Sequence, residues 1–489
     1  MTRTDTISGH VGDTMLLTLS GSHTAPGDRR SPRDRHDAVE RGRKTMKRNL
    51  SITLALIVSA ALSGCTPTSS GATPSTSGTT PTSSVQTTSS ATSDATATVG
   101  ADGTVAVTGV TLPGQTAAVP ADCAAAPTQT GKVVCSAQAF LATLTDAQKA
   151  TVLLPATQAN AVKWSNLPCG NNCRNGIQFS TLNAEQLLAA QAVVKAAMGT
   201  VKDDGYDEAM QILMADDVLN ASGGMGGPNS AGGGGTPPTR PTGNANAPQG
   251  GTPPAGAPTG APPAGGPGGG GGGGYSSGTY FLAFLGTPST DGTWQLQFGG
   301  HHLAVNTIFK AGQVASATPM FTGVEPKVWT ESGTTYAPLN AEHAGMAQML
   351  ASLSAEQLAS AKLSQTFSDV LLGPGQDGKF PATKAGLKVG SLNAEQKALV
   401  LAAMKPWVQD ADDVTTAKLL ATYEQELDET YISFSGNAGL TTNADYVRID
   451  GPSVWIEFVC QNGVVYSSQI HYHTVWRDHT RDYGGEYSF

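Results

Sequence analysis

The sequence predicts an α+β fold built from an internally duplicated unit, a helical hairpin-like part followed by antiparallel strands, with the two copies packed by pseudo-twofold symmetry. The first observation behind this is a helix start written four times. It reads Leu144-Thr145-Asp146-Ala147-Gln148, Leu182-Asn183-Ala184-Glu185-Gln186, Leu353-Ser354-Ala355-Glu356-Gln357 and Leu392-Asn393-Ala394-Glu395-Gln396. In each, a Thr, Asn or Ser can cap the helix, a Gln three residues on can reach back to it, and an acidic side chain sits at the positive end of the helix dipole. The first and third starts are 209 residues apart, the second and fourth 210. The second observation is a repeat of strand-like segments. Tyr280-Phe281-Leu282-Ala283-Phe284-Leu285-Gly286 corresponds to Tyr431-Ile432-Ser433-Phe434-Ser435-Gly436 with one residue fewer in the second copy, and Tyr280, Gly300 and Gly312 correspond to Tyr431, Gly451 and Gly463 at an offset of 151. The third is that the helical offset exceeds the strand offset by 58 to 59 residues, close to the length of a Gly/Pro-rich tract present in the first copy alone. A lone unit could not cover its sheet, so the copies are expected to share one core.

Residues 1–45 are Arg-rich, lack an apolar face and precede a secretion signal, so translation is expected to start at Met46. Residues 46–64 form that signal: Met46-Lys47-Arg48-Asn49, then thirteen mostly apolar residues from Leu50 to Leu62, then Ser63-Gly64. The apolar run is shorter than the roughly 20 residues that span a bilayer. Leu62-Ser63-Gly64-Cys65 resembles the bacterial lipobox, which implies cleavage before Cys65 and lipid on its thiol and amino group. The expected product is a lipoprotein of the cell envelope, anchored to the membrane through Cys65 and facing the periplasm or exterior. Residues 65–98 read as the lipidated Cys and a tether, with 21 Ser/Thr among residues 66–98. Residues 99–221 are the helical part of unit one. Residues 222–274 hold 22 Gly and 11 Pro and cannot bury a core, which makes them a disordered insert. The strand part of unit one follows at 275–335, the helical part of unit two at 336–429 and the strand part of unit two at 430–489. Period-2 alternation marks the strands, with Ala311-Gly312 and Asn462-Gly463 as their turns, Asn462-Gly463 being the best hairpin signal.

Charge narrows the functional classes. The 489 residues carry 29 Lys+Arg against 38 Asp+Glu, a net charge of −9. Removing residues 1–64 removes ten basic and six acidic residues and leaves −13. Nucleic-acid binding needs a basic surface, so no nucleic-acid partner is expected.

After Cys65 the cysteines are Cys123, Cys135, Cys169, Cys173 and Cys460, an odd number in an oxidising compartment. Their spacing predicts disulfides Cys123–Cys135 and Cys169–Cys173, with Cys460 left as a buried, inert thiol. A metal site on the first four is the alternative, although this spacing is a weak zinc signature.

The segments Phe284-Leu285-Gly286-Thr287-Pro288, Gly299-Gly300-His301-His302-Leu303-Ala304-Val305-Asn306, Ile470-His471-Tyr472-His473-Thr474-Val475-Trp476-Arg477-Asp478 and Asp482-Tyr483-Gly484 carry a likeness to a known family. Over most of residues 136–484 the chain resembles the bacterial and fungal family called domain of unknown function 3500. The resemblance implies no activity and no catalytic residue.

Chemistry is concentrated in histidine. The mature chain has six, and five of them, His301, His302, His471, His473 and His479, fall in two short segments. His471 and His473 share one face of a strand, as two ligands of one metal would. His302, Ala304 and Asn306 share a face in unit one, and the 151 offset carries it to Ser453, Trp455 and Glu457 in unit two. Duplication would then bring His302 and Asn306 to Glu457, His471 and His473 near the pseudo-twofold axis. Alternation turns His301 away from His302, and His343, alone on a helix, is expected at the surface. The candidate metal ligands are therefore His302, His471, His473 and Glu457, for one transition metal ion: Zn, Cu, Fe or Ni. Arg477 and Asp478 are the candidate catalytic residues, to orient ligands or hold an anionic substrate. The bland reading of the same residues is hydrogen-bonded histidine at a sheet edge, an Arg477-Asp478 ion pair, and Glu457 solvated or paired with Arg448.

The folded part holds no Gly-x-Ser-x-Gly elbow, His-Glu-x-x-His pair, Walker loop or EF-hand loop. Trp164, Trp294, Trp329, Trp407, Trp455 and Trp476 are spread as core residues are. The sequence thus points to an extracytoplasmic lipoprotein with a histidine-rich metal or catalytic site built from both halves. The alternative is a non-enzymatic envelope module that binds a ligand or protein partner.

Overall fold

A computed structural model describes residues 95–101, 103–223 and 274–489. The secretion signal at 46–64, Cys65, nearly all of the tether and nearly all of the Gly/Pro insert lie outside the described residues. No described helix is long and apolar enough to cross a membrane. The chain is mixed α and β, with ten α-helices among the described residues.

Eight helices matter for the site: α1 Gln129–Ala142, α2 Asp146–Val152, α3 Ala184–Ala197, α4 Tyr206–Ala221, α5 Asn340–Ala351, α6 Ala355–Ala361, α7 Ala394–Gln409 and α8 Asp413–Glu426. All four predicted starts form full capping boxes, at Thr145/Gln148, Asn183/Gln186, Ser354/Gln357 and Asn393/Gln396. The cap glutamines do more than reach back. Gln186 Nε2 donates to Gln148 Oε1 at 3.1 Å and to the Thr143 carbonyl at 2.8 Å. Gln396 Nε2 donates to Gln357 Oε1 at 2.8 Å and to the Ser352 carbonyl at 2.9 Å. One amide thus satisfies the end of one helix and the start of another, which locks pairs of helices end to end.

Eight strands form the body of a twelve-stranded sheet: β1 Phe281–Leu285, β2 Thr293–Gly300, β3 Leu303–Lys310, β4 Met320–Val324, β5 Tyr431–Ser435, β6 Tyr446–Asp450, β7 Val454–Asn462 and β8 Ile470–Asp478. Their order across the sheet is β5-β6-β7-β8-β4-β3-β2-β1, antiparallel throughout. The last strand of each group of four meets the other at the centre, where Thr322 and Thr474 are directly opposite and their hydroxyls lie 2.8 Å apart.

Alternation splits β8 into two faces. Thr474 and Trp476 point to the helices, receiving a hydrogen bond from Trp407 Nε1 on α7 and giving one to Tyr423 on α8. His471, His473, Val475 and Arg477 take the other face. An antiparallel sheet with this pattern normally gives its polar face to water. Here that face is covered by the chain around 164–175 and 367–377, and Glu457, Arg448, His471, His473 and Arg477 are all buried. The six tryptophans are buried as well.

Three local readings are corrected. The tether reading does not hold at its end, because Thr96–Val99 pairs with Val105–Thr108, where Val105 and Val107 turn inward. Asn462-Gly463 is not a two-residue turn. Asn462 pairs with Ile470 across a longer loop, in which the Glu325 carboxylate, just after β4, accepts the Val465 and Tyr466 amides. His343 is half-buried rather than at the surface, stacked on Tyr472 with Nε2 3.0 Å from the Leu440 carbonyl oxygen.

Candidate metal centre

His301 and His302 form the tight turn between β2 and β3, with His302 in the left-handed region at φ 62°. Strand alternation therefore does not apply to them. Their rings stack with centroids 3.7 Å apart instead of pointing to opposite faces. The two preceding residues must be small: a Cβ on Gly300 would lie 2.6 Å from the Tyr280 ring. The turn is held from both sides. The His302 amide donates to the Asn166 carbonyl at 3.1 Å, its carbonyl accepts from the Gly323 amide at 2.7 Å, and Arg174 donates to the Gly300 carbonyl.

Because β4 lies beside β8 and also pairs with the start of β3, this turn stands next to His471 and His473. One ligand nitrogen from each of His302, His471 and His473 lies within 4.8 Å of the others, and all three residues are buried. The Nε2 atoms of His471 and His473 are 3.3 Å apart. Ring centroids are 5.5 Å for His302–His471 and 5.1 Å for His302–His473. Gly323 provides the room, since a Cβ there would sit 3.1 Å from His473 Cδ2 and 3.3 Å from His302 Cδ2.

Two carboxylates back the imidazoles. His473 Nδ1 is 3.0 Å from Asp369 Oδ1, and His301 Nδ1 is 2.7 Å from Asp216 Oδ1. A tautomer carrying its hydrogen on Nδ1 would donate to Asp369 and turn the Nε2 lone pair of His473 to the cluster, the arrangement that orients metal-binding histidines. Burial first, and then His473, pushes the His471 ring down to about 3. Burial, followed by the charges of His301, His473 and His471, holds His302 well below the usual histidine range. Both rings are thus neutral at ordinary pH, the form that binds metal.

The structure brings together three of the four expected ligands. Glu457 is not one of them. Although its side chain is on the same sheet face, its carboxylate accepts from the Leu371 amide at 2.5 Å, the Leu372 amide at 2.8 Å, Tyr446 Oη at 2.7 Å and Trp455 Nε1 at 2.7 Å. Four donors satisfy a buried carboxylate, which here anchors the loop carrying Asp369. Asn306 also stays away, accepting from Gln295 and donating to the Pro319 carbonyl, each at 2.9 Å.

Arg477 and Asp478 do not form a catalytic pair. They are consecutive on a strand and point to opposite faces. Arg477 is fully buried and donates to the Leu372 and Gly373 carbonyls, Asp377 and Asp482. Asp478 accepts from the Thr480 and Arg481 amides, each at 2.8 Å, and from Arg481 Nη1 at 2.7 Å, closing the turn after β8. His479 is engaged away from the cluster, 3.0 Å from Asp450.

Cys123 is bonded to Cys135 and Cys169 to Cys173, and Cys460 is free and buried. Sequence reasoning missed Asp369 and Asp216. Neither has a periodic partner in the chain, and no local signal could have found them.

A family profile described as "Protein of unknown function (DUF3500)" matches residues 126–485. No curated protein and no solved structure matches the chain.

Proposed function

We propose that this chain, which belongs to the DUF3500 family, is an exported lipoprotein that binds one transition metal ion, Zn, Cu, Fe or Ni, on His302, His471 and His473. The observation that carries the reading is the convergence of three buried imidazole nitrogens within 4.8 Å. The 3.3 Å between His471 Nε2 and His473 Nε2 supports it. Two nitrogens at about 2.0–2.1 Å from a tetrahedral ion are themselves about 3.3 Å apart. Three protein nitrogens leave a fourth position for water or a small substrate, where a bound ion would polarise it for hydrolysis or oxidation. Asp369 and the Asp216–His301 pair hold the rings in place.

The same reading places the mature protein in the cell envelope, with Cys65 lipidated and seated in the membrane. Two disulfides in one chain favour an oxidising compartment. We also read the chain as an internal duplication. The four capping boxes and the two groups of four strands meeting at Thr322 and Thr474 support a pseudo-twofold relation, and the metal ligands would come from both halves.

The test is elemental analysis of the purified full chain beside a His471→Ala/His473→Ala variant of equal circular dichroism. Near-stoichiometric metal in the parent and little in the variant is expected. No metal in either, even after incubation with Zn, Cu, Fe, Ni and Mn, overturns the reading. A non-enzymatic envelope module is favoured by one observation: Glu457, Arg477 and Asp478 are all consumed by structural hydrogen bonds. On that reading, adding Zn, Cu, Fe or Ni leaves the melting temperature unchanged.

A further inference from the structure

A second group of buried ligands stands apart from the histidines, where the two helical parts touch. Glu208 lies on the first turn of α4, Asp204 just before it, Glu342 in the first turn of α5 and Asp410 at the end of α7. Backbone meets backbone there: the Gly199 amide donates to the Asp410 carbonyl at 3.0 Å, and a Cβ on Gly199 would lie 1.9 Å from the Gln409 carbonyl oxygen. One oxygen from each of Asp204, Glu208 and Glu342 lies within 4.8 Å of the others, and all three residues are buried.

Acidic residues in proximity are not by themselves a site. What singles these out is that they lack donors. Glu208 is 1 % exposed and Glu342 0 %, and their four carboxylate oxygens take no hydrogen bond from any other residue; the two carboxyls face each other closely enough to interact directly. When both are ionised they can only accept, so neither satisfies the other unless one holds a proton. Asp410, outside the close trio, adds an independent observation. Its Oδ1 accepts the Gly205 amide at 2.8 Å, while its Oδ2 is buried without a partner and its charge acts on Glu208. Contrast Glu457, equally buried, with four donors. Leaving buried anionic oxygens without a donor is costly, and the fold does this at Glu208 and Glu342 and again at Asp410 Oδ2.

We propose that Asp204, Glu208, Glu342 and Asp410 bind a hard divalent cation, calcium foremost. The donors are all oxygens, with no imidazole or thiolate, which suits Ca²⁺, Mg²⁺ or Mn²⁺ rather than the metals favoured by the histidine cluster. Seated there, the cation joins α4, α5 and the end of α7, and so fastens the two helical parts to each other. The competing occupant is the proton: burial pushes Asp204 up to about 6 and Glu342 up to about 7.

The experiment uses the full chain, treated with EDTA and held at pH 8. Melting is followed by circular dichroism and binding by titration calorimetry, with Ca²⁺, Mg²⁺ and Mn²⁺ added singly. One ion per chain and a rise of several degrees in melting temperature are expected. Both should persist in a His302→Ala/His471→Ala variant, which removes the other site, and vanish in Glu208→Gln/Glu342→Gln. Should that variant not fold, Asp410→Asn keeps the acceptor for the Gly205 amide and should weaken binding at least tenfold. Absence of heat and of stabilisation with all three ions, or binding undiminished in the carboxylate variants, overturns the proposal and leaves a proton-sharing carboxyl cluster.

Discussion

His473 hydrogen-bonds through Nδ1 to Asp369 at 3.0 Å, across a sequence separation of 104 residues. The Asp369 side chain is 48 % exposed, so replacing it removes an orienting partner without opening the core. Asp369→Asn is expected to lower metal affinity about 10- to 100-fold while changing stability little, as read by competition with a chelator beside a melting curve. Unchanged affinity would show that the carboxylate does not position the imidazole.

Gly323 is the other lever on the cluster. A methyl group there meets His473 Cδ2 at 3.1 Å and His302 Cδ2 at 3.3 Å, and the Tyr472 carbonyl oxygen at 2.9 Å. Gly323→Ala is expected to push the rings apart, cut metal content at least tenfold and cost about 1–3 kcal/mol. Full metal occupancy in this variant would place the binding site elsewhere.

Arg477 separates a structural role from a catalytic one. Its guanidinium is fully buried and bridges Asp377 and Asp482. Arg477→Met leaves both carboxylates uncompensated and is expected to cost about 3–5 kcal/mol in urea unfolding. Metal per folded molecule should stay the same. Loss of metal at unchanged stability would return Arg477 to the site.

Cysteine chemistry tests the compartment. Burial, with the charge of Asp445, pushes the Cys460 thiol up to about 12, so iodoacetamide should leave it unmodified in the native protein. After denaturation without reductant, one of the five cysteines beyond Cys65 should be labelled. Labelling of three or more would contradict both disulfides.

Lipid anchoring rests on Cys65. Cys65→Ala is expected to move the protein from the membrane fraction to the soluble fraction, scored by immunoblot, and continued membrane association would refute the anchor.

Much of this protein was legible along the chain. The four capping boxes were, because a cap and its Gln lie within three residues and the interaction is local. The strand segments and the His471/His473 face were, because alternation is a property of consecutive residues. The pairing of Cys123 with Cys135 and Cys169 with Cys173 also follows short spacings. What the chain could not reveal depends on distant segments meeting. Polar alternation on β8 does not say what covers that face; two loops bury it, and that burial turned Glu457 from an expected ligand, and Arg477 from an expected catalyst, into anchors for the loop that carries Asp369. A two-residue turn, not a strand, holds His301 and His302, and the side of β3 on which β4 lies decides that His302 reaches β8. Asp369, Asp216 and the carboxylates of Asp204, Glu208, Glu342 and Asp410 carry no periodic mark at all. Local hydrogen bonding and periodicity are written in adjacent residues, but desolvation and convergence arise only once the sheet and helices have packed.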